Sequence, residues 1–174
     1  MKIVLFDRNH DVCAAWNKDF QNNPGVSILN CELNDLPYHD YLVTPGNRLG
    51  TMSDGMDLAV RNMFGYGLQD FLQVEMLKVY PYGIHIGNIM TIKLPDEATF
   101  KHIIYAPTVR SLVEPIRILD IVYVMSIIVS LTLEYPEETF AIPGLGSGCG
   151  GLSATDSSKA MKAGYDAARF IRDI

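Results

Sequence analysis

The chain has 174 residues, of which 48% are hydrophobic and 20% charged, so it can bury a core without cross-links and is neither disordered nor collagen-like. Fourteen lysines and arginines stand against 20 aspartates and glutamates, and the formal charge of −6 argues against nucleic acid as a partner. Three cysteines lack the spacing of a metal site, which implies neither a metal nor a cofactor and fits a reducing, cytoplasmic setting.

Short apolar segments alternate with helical periodicity along the chain. Several have apolar residues at consecutive positions, as in strands that are buried on both faces. We predict strands at residues 2–6, 26–30, 41–44, 88–94, 102–106 and 139–143. This alternation is typical of an α/β fold with helices on both sides of a central sheet. Because the sequence contains no repeat or linker, we expect one domain over residues 1–174.

Between the strands, apolar residues recur at the spacing of amphipathic helices. The residues predicted to be buried are Val12, Trp16 and Phe20; Leu68, Phe71, Leu72 and Met76; and Met161, Gly164, Tyr165, Ala168 and Ile171. The long apolar segment 116–133 is uncharged only over 121–133. A membrane-spanning helix needs ~20 apolar residues, so we expect a buried element there and no membrane partner.

A glycine-rich segment, residues 143–151, leaves the last predicted strand with glycine at positions 144, 146, 148, 150 and 151. Without side chains a ligand can approach the main chain, and consecutive N–H groups can form an anion cradle. Ser153 and Asp156 resemble a capping box, which predicts a helix whose N-terminus adds partial positive charge. Backbone amides could thus hold phosphate without lysine or arginine. Alternatively, the glycines only pack the helix on the sheet.

The same segment does not match three known motifs for nucleotide binding or nucleophilic catalysis. A nucleoside-triphosphate loop needs a lysine directly after its last glycine, and no lysine follows residue 143 until Lys159. Residues 146–151 match GxGxxG, but too few residues follow for the rest of a dinucleotide-binding unit. Neither Ser147 nor Cys149 fits the GxSxG pattern of a nucleophile, and we expect Cys149 to be a small buried residue.

A second polar loop, residues 44–60, also leaves a predicted strand and enters a helix. Ligands of open α/β sheets bind beyond the carboxyl ends of the strands, so the two loops are expected to converge on one pocket. Asn47 suits recognition of sugar hydroxyls, although asparagine also favours turns. Asp54 is predicted to cap the helix. Asp57 then falls at its third position, where it either stabilises free N–H groups or orients a water.

Four segments, ILNCEL, DYLVTPGNRLGTMSDGMDLAV, HIIYAPT and AIPGLGSGCGGLS, together resemble the macro domain, an ADP-ribose-binding α/β module. The resemblance spans essentially the whole chain and is strongest to compact stand-alone proteins of bacteria and their phages. It implies a three-layer α/β/α sandwich with a central mixed, mostly parallel sheet. It also implies that the partner is ADP-ribose, a related ADP-ribosyl metabolite or an ADP-ribosylated protein.

Individual site residues follow from this resemblance. Glu32 and Leu33 match the pair that holds the adenine amino group, where the family usually has Gly-Asp-Ile. Asn47 matches the asparagine that contacts the distal ribose. Gly150 stands where many members carry an aromatic residue that packs on the distal ribose. The diphosphate loop as a whole corresponds to Leu145, Gly146, Ser147, Gly148, Cys149, Gly150 and Gly151.

At the predicted helix start, Gly55 and Met56 match a loop that supplies backbone N–H groups. Asp57 matches an acid that is catalytic in one ADP-ribosyl-hydrolase branch. For an enzyme, the resemblance implies hydrolysis of an ADP-ribosyl ester or of ADP-ribose 1″-phosphate, in which Asp57 positions water and Asn47 orients the ribose. The alternatives are a non-catalytic ADP-ribose-binding module and a structural or assembly protein in which segment 116–133 is an interface.

Overall fold

The structure, a computed structural model, describes residues 2–110 and 115–172. In these ranges the elements are, in chain order, β1 (Lys2–Asp7), α1 (His10–Asp19), β2 (Val26–Asn30), a 3-10 helix (Leu33–Asp35), β3 (His39–Asn47), α2 (Gly55–Phe64), α3 (Tyr66–Val79), β4 (Met90–Lys93), β5 (Phe100–Val109), α4 (Ile118–Glu134), β6 (Thr139–Pro143) and α5 (Ala154–Arg172). Each predicted strand is therefore present, and β3 continues three residues beyond its predicted end.

The six strands form one sheet in the order β2-β1-β6-β3-β5-β4. The pairs from β2 to β5 are parallel, and only the edge strand β4 is antiparallel to its neighbour. This confirms the predicted mixed, mostly parallel sheet. Because parallel strands end at the same edge, the segments that follow β1, β2, β3, β5 and β6 meet there.

Helices cover both faces of the sheet and make three layers. On one face, α1, α4 and α5 pack around Trp16, Ile128 and Tyr165. On the other face, α2 and α3 cover the sheet with Val60 and Leu72. The predicted three-layer α/β/α sandwich is thus confirmed.

Helix α4 is the buried element predicted from the apolar segment. Its residues Ile121, Val124 and Met125 are at most 1% exposed. The helix packs against α5 closely enough that a Cβ on Gly164 would lie 2.8 Å from the Cβ of Met125. The buried face of this segment is therefore core, as predicted. In the described ranges, no helix is long and apolar enough to span a membrane.

Two residues predicted to be buried are exposed. Phe71 is 51% exposed because α3 buries the stripe Leu68, Leu72 and Met76, and Phe71 lies about 100° around the helix from Leu72. Ile171 is 72% exposed. It lies in the last turn of α5. The neighbouring Arg172 donates a hydrogen bond to the carbonyl of Leu133 in the last turn of α4, so α4 ends at this level and does not cover Ile171.

Candidate functional site

A cleft of about 660 Å³ opens at the carboxyl edge of the sheet. This volume falls within the range of small-molecule sites, roughly 300 to 1,000 Å³. The segments after β1, β2, β3 and β6 supply most of its lining, together with Thr108 and Val109 at the end of β5 and Ile116 just before α4. The two polar loops singled out in the sequence therefore do converge on one cavity.

The glycine-rich loop borders this cleft with residues 146–150. The loop is closed by two hydrogen bonds, from Leu152 N to Gly146 O and from Gly151 N to Gly148 O, both 3.0 Å. Among the residues that the structure describes, no acceptor pairs with the N–H groups of residues 146–150. Gly146 has φ +79°, which a residue with a side chain rarely adopts. Unpaired main-chain N–H groups and a positive φ are features that an anion-binding main-chain loop requires.

Both ends of the loop are anchored rather than open to the cleft. Leu145 is fully buried, and its carbonyl accepts a 2.8 Å hydrogen bond from Ser157 Oγ. Ser153 Oγ accepts from the N–H of Asp156 at 3.0 Å, which confirms the predicted cap of α5. Of the predicted diphosphate-loop residues, Gly146, Ser147, Gly148, Cys149 and Gly150 line the cleft, and Leu145 and Gly151 do not.

Gly150 has no room for any side chain. A Cβ built on it would overlap Cδ1 of Ile116 and lie 2.7 Å from the carbonyl oxygen of Gly146. Ile116, from the segment before α4, occupies this space and lines the cleft. No signal in the sequence identified Ile116, because the contact joins segments more than thirty residues apart.

Asp54 and Cys149 connect the two loops across the cleft. Asp54 caps α2 as predicted, because its Oδ1 accepts from the N–H of Gly55 at 2.7 Å. Its other oxygen, Oδ2, accepts from the thiol of Cys149 at 2.8 Å. This hydrogen bond and the carboxylate's charge raise the pKa of Cys149. Cys149 is exposed, so the expectation of a buried cysteine was wrong. The glycines on either side leave nothing to cover it.

Asp57 is a buried carboxyl group that borders the cleft. It occupies the third position of α2, is only 4% exposed, and accepts a hydrogen bond from Thr44 Oγ1 at 2.5 Å. Burial raises the pKa of Asp57 to about 7 although the Thr44 bond opposes the shift. Within the described chain, no group donates a hydrogen bond to Oδ2 of Asp57. This oxygen is also not one of the unpaired polar atoms that are buried away from solvent. That oxygen is therefore available to a ligand or water in the cleft.

Asn47 lines the cleft and also holds its own loop. Its Nδ2 donates to the carbonyl of Thr51 at 2.7 Å, and its Oδ1 accepts from the N–H of Leu49 at 3.0 Å. Asn47 therefore has the turn-forming role that the sequence analysis gave as the alternative to sugar recognition. Gly55 and Met56 line the same cavity.

Tyr105 supports Asn47 and was missed in the sequence. Its hydroxyl donates to the carbonyl of Asn47 and accepts from the N–H of Asn47, both at 2.8 Å. A side chain on Gly46 would overlap the Tyr105 ring. The available signal was a tyrosine that follows two isoleucines in a predicted buried strand, since a buried hydroxyl needs partners.

The segments after β1 and β2 also border the cleft. Glu32 is exposed and Leu33 is 6% exposed, and both line the cavity, as do Asp7, Arg8 and Asn9, which the sequence did not single out. Their signal was a polar run directly after an apolar strand. In the described ranges no group of three or more histidine, cysteine or acidic side chains could hold a metal ion.

Fold and cleft together define an α/β/α sandwich with a small-molecule-sized cleft at the carboxyl edge of its sheet, and solved structures specify the fold further. A macrodomain of Mycobacterium tuberculosis DarG is 21% identical with a TM-score of 0.66, over 79% of this chain and 87% of its own. A macrodomain of Thermus aquaticus DarG is 23% identical with a TM-score of 0.63, over the same shares. Thermosipho africanus DarTG in complex with ADP-ribose is 18% identical with a TM-score of 0.58, over 90% of this chain and 48% of its own.

The chain therefore has the macrodomain fold, and the resemblance seen in the sequence is confirmed at the level of fold. No protein-family model matches the sequence, and no curated protein matches it significantly.

Proposed function

We propose that this protein binds ADP-ribose or a related ADP-ribosyl metabolite in the cleft. The adenine lies near Glu32 and Leu33, the diphosphate lies on the backbone of residues 146–150, and the distal ribose lies beside Asn47 and Asp57. A solved neighbour of the same fold, Thermosipho africanus DarTG, is in complex with ADP-ribose, which supports this ligand.

The observation that carries the proposal is the row of N–H groups at residues 146–150 that have no acceptor in the described chain and border the cleft. The charged side chains of the cleft argue against phosphate binding by lysine or arginine. Among the described residues, the lining contains the acids Asp7, Glu32, Asp54 and Asp57 and one basic residue, Arg8. A small diphosphate on backbone donors suits this balance, whereas a nucleic acid strand does not.

Asp57 is the proposed catalytic residue, with hydrolysis at the distal ribose as the reaction. A carboxyl group with a pKa of about 7 is suited to accept a proton at neutral pH. Its unpaired oxygen takes a proton from water as that water attacks C1″, and the bond to the leaving carboxylate or phosphate breaks. Asn47 orients the ribose, and the free N–H groups of the loops stabilise developing negative charge.

Calorimetric titration with ADP-ribose tests the binding step. We expect saturable heat with one site per chain and weaker binding of AMP, which lacks the second phosphate and the distal ribose. No heat and no change in melting temperature at millimolar ADP-ribose would contradict the proposal.

Catalysis is tested by Asp57→Ala with an ester-linked ADP-ribosylated protein and with ADP-ribose 1″-phosphate as substrates. Turnover should be lost while ADP-ribose binding stays within a few fold. The matched control is Asp70→Ala, since Asp70 is exposed on α3 and does not line the cleft. Unchanged turnover in the Asp57 variant would remove it from the mechanism, and a wild-type protein that binds without turnover would be a non-catalytic module.

A further inference from the structure

The described part of the cleft offers no exposed aromatic ring to the base of a nucleotide. Among the lining residues that the structure describes, Phe6 is the single aromatic one, and its side chain is 0% exposed in the core under α2 and α3. A base in the cleft therefore needs another flat surface if one of its faces is to be covered. A planar guanidinium group provides such a surface, because it stacks on aromatic faces.

Arg8 is the single basic residue among the described lining residues, and it is exposed. In the described ranges it has no hydrogen bond or salt bridge from its side chain. Its position is fixed by the end of β1. The carbonyl of Asp7 accepts from Cys31 N at 3.2 Å and from Asn30 Nδ2 at 2.8 Å. The peptide group that leads into Arg8 is therefore bonded to Cys31, and Arg8, Cys31 and Glu32 all line the cleft.

The phosphate cradle does not require Arg8. The residue before it, Asp7, is the one that faces the glycine-rich loop, since its Oδ2 would lie 2.5 Å from a Cβ on Gly144. A carboxylate at that place weakens any attraction between the Arg8 charge and a bound diphosphate. The free N–H groups of residues 146–150 already supply donors to the phosphates.

We propose that Arg8 is a specificity-determining residue whose guanidinium group stacks on one face of the adenine while Glu32 contacts the edge of the base. This inference rests on the proposed function, because it presumes a nucleotide with its base at the end of the cleft near Glu32. It explains how an acidic cleft without an exposed aromatic ring holds a base. In this arrangement Arg8 contacts the uncharged adenine and not the diphosphate.

Three substitutions separate stacking from charge. Arg8→Ala removes both, Arg8→Lys keeps the charge without the plane, and Arg8→Trp keeps a plane without the charge. For ADP-ribose we expect binding about tenfold weaker with alanine and nearly as weak with lysine, and within about threefold of wild type with tryptophan. Melting temperatures of the free variants should match the wild type because Arg8 is exposed and unpaired in the described ranges.

The tryptophan variant adds a spectroscopic signature. Trp16 is the only tryptophan of the chain and is 0% exposed, so the fluorescence of a second, exposed tryptophan at position 8 can be followed. ADP-ribose should quench it, whereas ribose 5-phosphate, which has no base, should not. Equal ADP-ribose affinity of wild type and Arg8→Ala would overturn the inference, as would a lysine variant that binds like wild type beside a tryptophan variant that binds like alanine. A wild-type protein that does not bind ADP-ribose would instead overturn the proposed function.

Discussion

Thr44 and Asp57 form a buried pair at the floor of the cleft, in which Thr44 Oγ1 donates a 2.5 Å hydrogen bond to Asp57 Oδ1. Thr44 belongs to β3 and Asp57 to the first turn of α2. One hydroxyl group does not replace the water that a carboxylate loses on burial, so the pKa of Asp57 rises to about 7. Keeping an acid here costs stability at neutral pH, which is typical of a functional position.

The first prediction is that Asp57→Asn stabilises the protein at neutral pH. The unfolded carboxyl group titrates near pH 4, whereas the folded one titrates at about 7. Between these values the unfolded state has released its proton and the folded state has not, so wild-type stability falls as pH rises. An amide does not titrate. The stability gained by the variant should therefore grow between pH 4 and pH 7, to the order of 3 kcal/mol, and stay constant above.

Urea unfolding of both proteins at several pH values measures this difference. Asp70→Asn is the control, since it removes an exposed acid on α3 that does not line the cleft. A stability difference between wild type and Asp57→Asn that does not change between pH 4 and pH 7 would show that Asp57 ionises normally in the folded protein.

Two neighbouring glycines should respond differently to alanine. At Gly150 an added Cβ would overlap Ile116 and crowd the Gly146 carbonyl, so Gly150→Ala should cost about 1 to 3 kcal/mol of unfolding free energy. At Gly148 a Cβ would meet nothing within 4 Å, and the backbone does not have a positive φ, so Gly148→Ala should be neutral or slightly stabilising. Chemical denaturation of the two variants tests this contrast. Equal destabilisation would mean that the loop is not packed on Ile116.

The sheet was predictable because its signals are local. Consecutive apolar residues in KIVLF and TFAIP require burial on both faces, and the alternation with helices then fixes layers and parallel pairing. The exposure of Phe71 was not predictable in the same way. A phenylalanine next to an apolar stripe is equally consistent with a wide or a narrow buried face, and only the packing of α3 decides between them.

In the site, too, some features could be predicted from local sequence and others could not. Loops that follow strands had to meet at one edge, so Asn47, Asp57 and the glycine segment could be expected together. The partners that these residues use come from distant positions. Thr44 reaches Asp57, Tyr105 reaches Asn47, and Cys149 reaches Asp54 across 95 positions of sequence. A single sequence contains no signal for such pairs, since each depends on the register of strands and the path of a loop.

Tyr105→Phe should loosen the Asn47 turn. The substitution removes the hydroxyl that bonds both the N–H and the carbonyl of Asn47, and it leaves these two groups without that partner. We expect a loss of about 1 to 3 kcal/mol in unfolding free energy and weaker binding of ADP-ribose. The control is Tyr66→Phe, because Tyr66 is 69% exposed and does not line the cleft. An unchanged stability and ADP-ribose affinity would exclude Tyr105 as a support of this loop.

The Asp54–Cys149 contact predicts the reactivity of Cys149 toward alkylating reagents. The thiolate is the reactive form, and the neighbouring carboxylate raises the pKa of Cys149. Asp54→Asn removes this charge while keeping a side chain that caps helices equally well, so α2 should still begin at Gly55. At pH 8, iodoacetamide should modify Cys149 several-fold faster in the variant, as measured by mass spectrometry of its peptide. Cys13 serves as an internal reference, because it is buried and does not depend on Asp54. If Cys149 reacts at the wild-type rate in the variant, the carboxylate of Asp54 does not hold the thiol in solution, and the two loops are joined by packing alone.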